Sequence, residues 1–243
     1  MRHLILVFLL LLTVGCQPAN EESQQTEANS DVAAELVGNT PTQELPMTFV
    51  EGKDYRVLEQ AIEVADFEPA PAEGGFIIEF LWPGCPHCQH FNPTIVAYDL
   101  EHTDVTVIKR AAPANERWAL DARVFYALRD MGHSLDDELI GYYETVRENH
   151  ERLPTQEDIN AFLAEHAVDP IAFQDVYESS AITDKLRVVL QDMMDADISS
   201  VPTLVVNGKY VVTAPAPHSQ EESKRYFALL DHLLQLDAVE SSS

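Results

Sequence analysis

The sequence predicts an α/β protein: a small sandwich of sheet and helices, interrupted by an all-helical lobe. Three observations lead there. Two short apolar runs rich in β-branched residues, 74–82 and 105–110, bracket a segment of helical pattern. Asn207-Gly208 stands between two more such runs, a strong hairpin signal. From about Asn115 to Ala196 the spacing of apolar residues is helical throughout.

The elements follow in order. "DYRVLE" supplies a first edge strand. "GGFIIEFLW", 74–82, is bounded by two glycines and apolar enough for a buried strand. "HCQHFNPTIVAYDLEH" reads as a helix, with Pro93 as a kinking residue, and "VTVIKR", 105–110, as a second buried strand. Trp118, Ala122, Phe125, Tyr126 and Leu128 open the helical block, and Pro154-Thr155 and Asp169-Pro170 are helix-start signals within it. "TLVVNGKYVV", 203–212, is a hairpin with Asn207-Gly208 as its two-residue turn, and "SQEESKRYFALLDHLLQL" is a last amphipathic helix. Without the block the order is βαβ–ββα. The boundaries expected are 47–114 and 181–238 for the sandwich and 115–180 for the helical insertion.

The N-terminal 46 residues stand apart. A short basic start precedes an unbroken apolar run from Leu4 to Leu12, too short to span a bilayer as a helix, so 1–15 reads as an export signal. Thr13-Val14-Gly15-Cys16 resembles the bacterial lipobox, which implies lipid on Cys16; an ordinary secretory signal with an incidental cysteine is the alternative. Gln17 is not the aspartate associated with inner-membrane retention, so the outer membrane is the favoured anchor site. Residues 16–46 are rich in Gln, Asn, Glu, Ser, Thr and Pro and read as a disordered tether.

The chain of 243 residues has 41 acidic against 15 basic residues, a formal charge of −26. Such a surface repels nucleic acid and anionic lipid. A secreted protein facing high salt carries this charge, and so does a merely acidic periplasmic one. There are three cysteines. With lipid on Cys16, the mature domain keeps Cys85 and Cys88, which an oxidising compartment joins in a disulfide unless something reduces it.

"WPGCPHCQHF", 82–91, then poses the functional question. Structural zinc needs about four ligands, and no second cysteine pair exists beside Cys85, Cys88, His87 and His90. A static staple closing so small a loop removes little unfolded-state entropy. A redox pair fits the local chemistry. Cys85 falls at a helix N-cap and Pro86 at the first helical position, so unpaired N–H groups and the positive helix end stabilise a Cys85 thiolate. His87 adds positive charge or a hydrogen-bond donor. Cys88, one turn inside, is the more buried, resolving thiol. A stabilised thiolate favours the reduced form and makes the disulfide a strong oxidant.

Cys85-Pro86-His87-Cys88, together with "SVPTLVVNGKY" and the inserted helices, resembles the DsbA family of periplasmic thiol:disulfide oxidoreductases. The resemblance covers roughly 48–236. It implies a thioredoxin fold with an inserted all-helical lobe, and a cis-proline at Pro202 set against the redox pair, with Val201 left to bind substrate. It implies that Glu79 is buried beneath the cysteines and exchanges a proton with Cys88. Trp82 either lines the substrate surface or caps the core. No cofactor is implied beyond the Cys85–Cys88 disulfide. The implied activity is donation of that disulfide to reduced, newly exported proteins, with reoxidation by a quinone-linked membrane partner of the DsbB type. A monomer tied to its membrane through Cys16 is expected, with no nucleic-acid partner. A disulfide reductase or isomerase, or a non-catalytic metal-binding module of the same fold, are the alternatives.

Overall fold

In the computed structural model, which describes residues 47–213 and 215–240, the elements run β1 (Tyr55–Val57), β2 (Phe76–Leu81), α1 (Pro86–Glu101), β3 (Thr106–Ala111), α2 (Glu116–Asp130), α3 (Asp136–His150), α4 (Gln156–Glu165), α5 (Pro170–Tyr177), α6 (Ser180–Asp195), β4 (Thr203–Val206), β5 (Tyr210–Val212) and α7 (Gln220–Glu240). The expected signal segment, Cys16 and the tether lie outside the described residues. Among the described residues no helix is long and apolar enough to cross a membrane.

The strands form one sheet in the order β1-β5-β4-β2-β3. Only β2 and β3 are parallel, because α1 supplies the crossover that a parallel neighbour needs. β2 lies between β3 and β4 with helices over both faces. That explains why its residues Ile77, Ile78, Phe80 and Leu81 form an apolar run in place of an alternation. On one face Ile77, Leu204 and Val206 pack against Phe91, Ile95 and Tyr98 of α1 and Leu229, Leu230 and Leu233 of α7. On the other, Ile78, Phe80, Ile108 and Val205 pack against Phe125 and Tyr126 of α2 and Leu186 and Val189 of α6. Each such side chain contributes about 1.5–3 kcal/mol on burial.

The inserted helices are therefore not a detached lobe. The cluster that covers the sheet continues without a break into Phe162 of α4 and Phe173 of α5. α6 begins at Ser180, where the insertion was expected to end, and its buried stripe forms part of the sheet's second cover. The helix starts are locally coded. Asn115 caps α2, Thr155 and Asp158 form a capping box at α4, Asp169 caps α5 with Pro170 at its first turn, and Ser179 caps α6. Arg110 of β3 is fully buried on the same face. Its guanidinium donates to both carboxylate oxygens of Glu68 (2.7 and 2.6 Å), to Asp192 of α6 (2.6 Å) and to the Glu63 carbonyl (2.9 Å). That network ties the segment before β2 to the helical cover.

The hairpin departs from expectation in one respect. Val206 pairs with Tyr210, so three residues stand in the loop and not two. Asn207 and Gly208 do take the positive φ of the expected turn, 47° and 67°. The loop is stitched to its surroundings, which overrides the shorter connection. The Asn207 N–H donates to the Phe76 carbonyl (2.8 Å), and its side-chain oxygen accepts from the Phe76 N–H (3.0 Å). Leu58 and Ile62 N–H groups bond to the Lys209 and Gly208 carbonyls, both at 2.8 Å. A Cβ at Gly208 would lie 2.0 Å from the Ile62 carbonyl oxygen, so only glycine fits there.

Candidate active site

β2 ends at Leu81, and the turn Trp82–Gly84 delivers Cys85 to the N-cap of α1. The Cys85 N–H donates to the Trp82 carbonyl (2.9 Å), and the Gln89 N–H closes the first helical turn on the Cys85 carbonyl (3.0 Å). Pro86 occupies the first turn, where its missing N–H costs nothing. A Cβ at Gly84 would lie 2.5 Å from the Trp82 ring, so the turn needs glycine for close approach. Both cysteines are buried, free thiols. The Cys85 thiol donates to the Val201 carbonyl (3.7 Å), and the Val201–Pro202 bond is cis. Cys88 sits one turn deeper, in a small apolar cluster with Leu81 and Ile140 of α3.

The two sulfurs are held in opposite states. Donation from the Cys88 thiol is the main influence lowering Cys85, from 9.0 to about 6. Burial opposes it, while the Cys88 and His87 N–H groups and the His87 charge assist. Burial pushes Cys88 the other way, well above the usual thiol range, and the Cys85 and Glu79 charges add to that. One sulfur thus carries the pair's negative charge while the other keeps its proton.

Glu79 lies fully buried in β2, on the face toward α1 and α7, and neither of its oxygens has a hydrogen-bond partner. Burial raises its carboxyl from 4.5 to about 7; Lys109 opposes this, and Asp137 and Asp136 reinforce it. Lys109 is the residue opposite Glu79 across the parallel β2–β3 pair. Its ammonium reaches Asn92 of α1 (2.7 Å) and pairs with Asp137 at the start of α3. This buried lysine was not singled out from the sequence. The signal was there, since a charge inside the apolar run "VTVIKR" is the same anomaly that singled out Glu79 in "FIIEF".

Beside the pair opens a cavity of about 490 Å³, lined by His87, His90, Val201, Pro202, Arg56 and His218 among others. His87 and His90 are exposed, and His90 Nε2 lies 3.1 Å from His218 Nδ1. Trp82, expected at the substrate surface or over the core, does not line this cavity. Its indole N–H donates to Asp121 (2.8 Å), and its ring stacks on Trp118 at 4.8 Å, which turns it toward α2 and packs it over the core. Asp121 in turn accepts from Tyr143 (2.7 Å) and Arg117 (2.9 Å), so the indole is fixed by a polar network from the helical lobe.

A sheet covered on both faces, a Cys-x-x-Cys pair at the helix start after the interior strand β2, and a cis-proline against the first sulfur together define a thioredoxin-fold dithiol protein. A thioredoxin family model matches residues 71–232. The thiol:disulfide interchange protein DsbA of Pseudomonas aeruginosa is 30% identical over 190 residues, covering 77% of this chain and 85% of that protein. DsbA of Burkholderia cepacia is 32% identical over 172 residues, covering 70% and 78%. The crystal structure of Pseudomonas aeruginosa DsbA matches with a TM-score of 0.66 at 28% identity, covering 80% of this chain and 97% of that one. The chain belongs to the DsbA family of thioredoxin-like proteins.

Proposed function

We propose that the protein is a periplasmic thiol:disulfide oxidoreductase working as an oxidase, which donates a Cys85–Cys88 disulfide to reduced, newly exported proteins. The observation that carries this reading is the placement of the pair: Cys85 at the N-cap of α1, where the helix N–H groups favour its thiolate, and Cys88 buried one turn deeper with Leu81 and Ile140, where burial favours the thiol. A substrate thiolate attacks Cys85 Sγ, the Cys85–Cys88 bond breaks, and Cys88 leaves with the bonding electrons and takes up a proton. The second substrate thiolate then attacks the substrate sulfur of the mixed disulfide and expels Cys85 as a thiolate. Two electrons have passed from substrate to enzyme. Because Cys85 is a low-pKa leaving group, the second step runs forward.

The remaining residues have named roles in this scheme. Pro86 starts the helix whose N–H groups face Cys85, and His87 adds positive charge. Glu79, titrating near neutrality, exchanges the proton of Cys88. Val201 and Pro202 meet the incoming substrate backbone at the edge of the cavity. A quinone-linked, DsbB-type membrane oxidase restores the disulfide, which is the protein's own redox centre and needs no added cofactor. The signal segment and Cys16 support a lipid anchor, Gln17 favours the outer membrane over the inner, and the charge of −26 argues against nucleic acid.

The experiment mixes the oxidised protein with a reduced dithiol peptide and counts thiols after acid quenching. One peptide disulfide formed per enzyme disulfide consumed is expected, with the equilibrium far on that side. A peptide left reduced while the enzyme keeps its disulfide would instead make the protein a reductase or an idle module.

A further inference from the structure

Gln89, immediately after Cys88, is 2% exposed and uses both ends of its amide. Its Nε2 donates to the Pro83 carbonyl (2.7 Å), inside the turn that carries Cys85. Its Oε1 accepts from Nε of Arg147 in α3 (3.0 Å). With its backbone N–H on the Cys85 carbonyl (3.0 Å), this one residue ties the turn down twice. α3 also places Ile140 against the two cysteines and Asp137 on Lys109, and Leu153, just beyond it, stands where a Gly84 Cβ would point. Among the described contacts by which the helical lobe closes on the redox turn, this buried amide is the one that hydrogen-bonds both to the lobe and to the turn's backbone.

We propose that Gln89 and Arg147 form a latch through which the helical lobe tunes the reduction potential of the Cys85–Cys88 pair, with Gln89 as a positioning residue. This rests on the pair being redox-active. The sign follows from what holds the turn in each state. In the disulfide form a covalent bond fixes Cys85 relative to Cys88. In the dithiol form only the turn's hydrogen bonds keep Cys85 where the Cys88 thiol and the Cys88 and His87 N–H groups reach its sulfur. Losing the latch therefore costs the dithiol form more than the disulfide form, and the disulfide becomes a weaker oxidant. A merely structural hydrogen bond would cost both forms alike.

The test is Gln89→Met, which keeps the volume and removes both hydrogen bonds. The equilibrium with glutathione is measured, together with the unfolding of each redox form and the Cys85 titration. The expected result is a three- to tenfold smaller constant for oxidising glutathione, about 15–30 mV at 29.6 mV per tenfold. The dithiol form loses stability by that same factor beyond the disulfide form, and the Cys85 midpoint moves up. Arg147→Met, on a side chain one-third exposed, shifts the constant in the same direction by about two- to threefold. The double variant matches Gln89→Met alone, since the two form one latch. Equal destabilisation of both forms, with the glutathione constant and the Cys85 midpoint unchanged, overturns the latch and leaves the oxidoreductase reading intact. If Gln89→Met does not fold, an unshifted constant in Arg147→Met overturns it equally. A parent pair that does not exchange with glutathione at all refutes the oxidoreductase reading on which the latch rests.

Discussion

Cys85→Ser is expected to reduce thiol oxidation to the uncatalysed background, while Cys88→Ser, given a one-cysteine substrate activated as its glutathione mixed disulfide, accumulates a stable adduct as the Cys85 thiolate displaces glutathione. The asymmetry follows from position. Cys85, 7% exposed and in contact with the cavity-lining Val201, is the more accessible sulfur, whereas Cys88, 1% exposed, is sealed among Leu81 and Ile140. A hydroxyl at 85 cannot form the mixed disulfide at all. With serine at 88 the adduct on Cys85 cannot be attacked from within. The same pair of positions tests the cause of the thiolate. Donation from Cys88 is the main influence holding Cys85 near 6, and a serine hydroxyl can still donate, so Cys88→Ser keeps the low midpoint. Cys88→Ala removes the donor. A hydrogen bond to a charged group contributes about 1.5–3 kcal/mol, so the Cys85 midpoint rises by about one to two pH units. Gel-resolved trapping of substrate adducts and thiolate absorbance read the two effects. Equal trapping by both serine variants would remove the assignment of attacking and resolving sulfurs.

Glu79→Gln is expected to stabilise the dithiol protein by about 3 kcal/mol at pH 8 and by nothing below about pH 4.5. Burial raises this carboxyl from 4.5 to about 7 in the folded protein. Between those values the folded state binds a proton that the unfolded state has lost. The Glu79 carboxyl therefore costs the parent nothing below 4.5, costs more as pH rises through that window, and carries its full penalty above 7. Glutamine resembles the protonated acid and escapes the penalty. Urea unfolding of both proteins from pH 4 to 8.5 measures the difference. A gain independent of pH would mean that packing, not ionisation, separates the two side chains. Loss of the exchangeable proton is expected to slow release of Cys88 as well, which couples the strain of this buried acid to turnover.

The parts of this structure written in short stretches were legible in the sequence. Cys85 at a helix start with Pro86 behind it, the capping pairs at Thr155 and Asp169-Pro170, and the turn residues Asn207 and Gly208 all announce themselves within about four residues. What was not legible depends on meetings across the chain. The third residue of the hairpin loop is imposed by Phe76, Leu58 and Ile62, none of them near it in sequence. The packing of α2 and α6 onto the sheet follows from apolar faces whose partners no local pattern names. Trp82 is aimed by Asp121, 39 residues away, and Gln89 meets Arg147 at a separation of 58. Glu79 and Lys109 are an intermediate case. Each is a visible charge in an apolar strand, but only the parallel register of β2 and β3 sets them opposite one another.

The central claim is that Cys85 is a thiolate at the pH where the protein works, and that its disulfide is oxidising for that reason. Ultraviolet thiolate absorbance of the reduced protein, followed from pH 3 to 9 with the oxidised protein as blank, tests it most directly. A single transition near pH 6, belonging to one sulfur and absent in Cys85→Ser, is the predicted result. A transition first appearing near the ordinary 9.0 would contradict it.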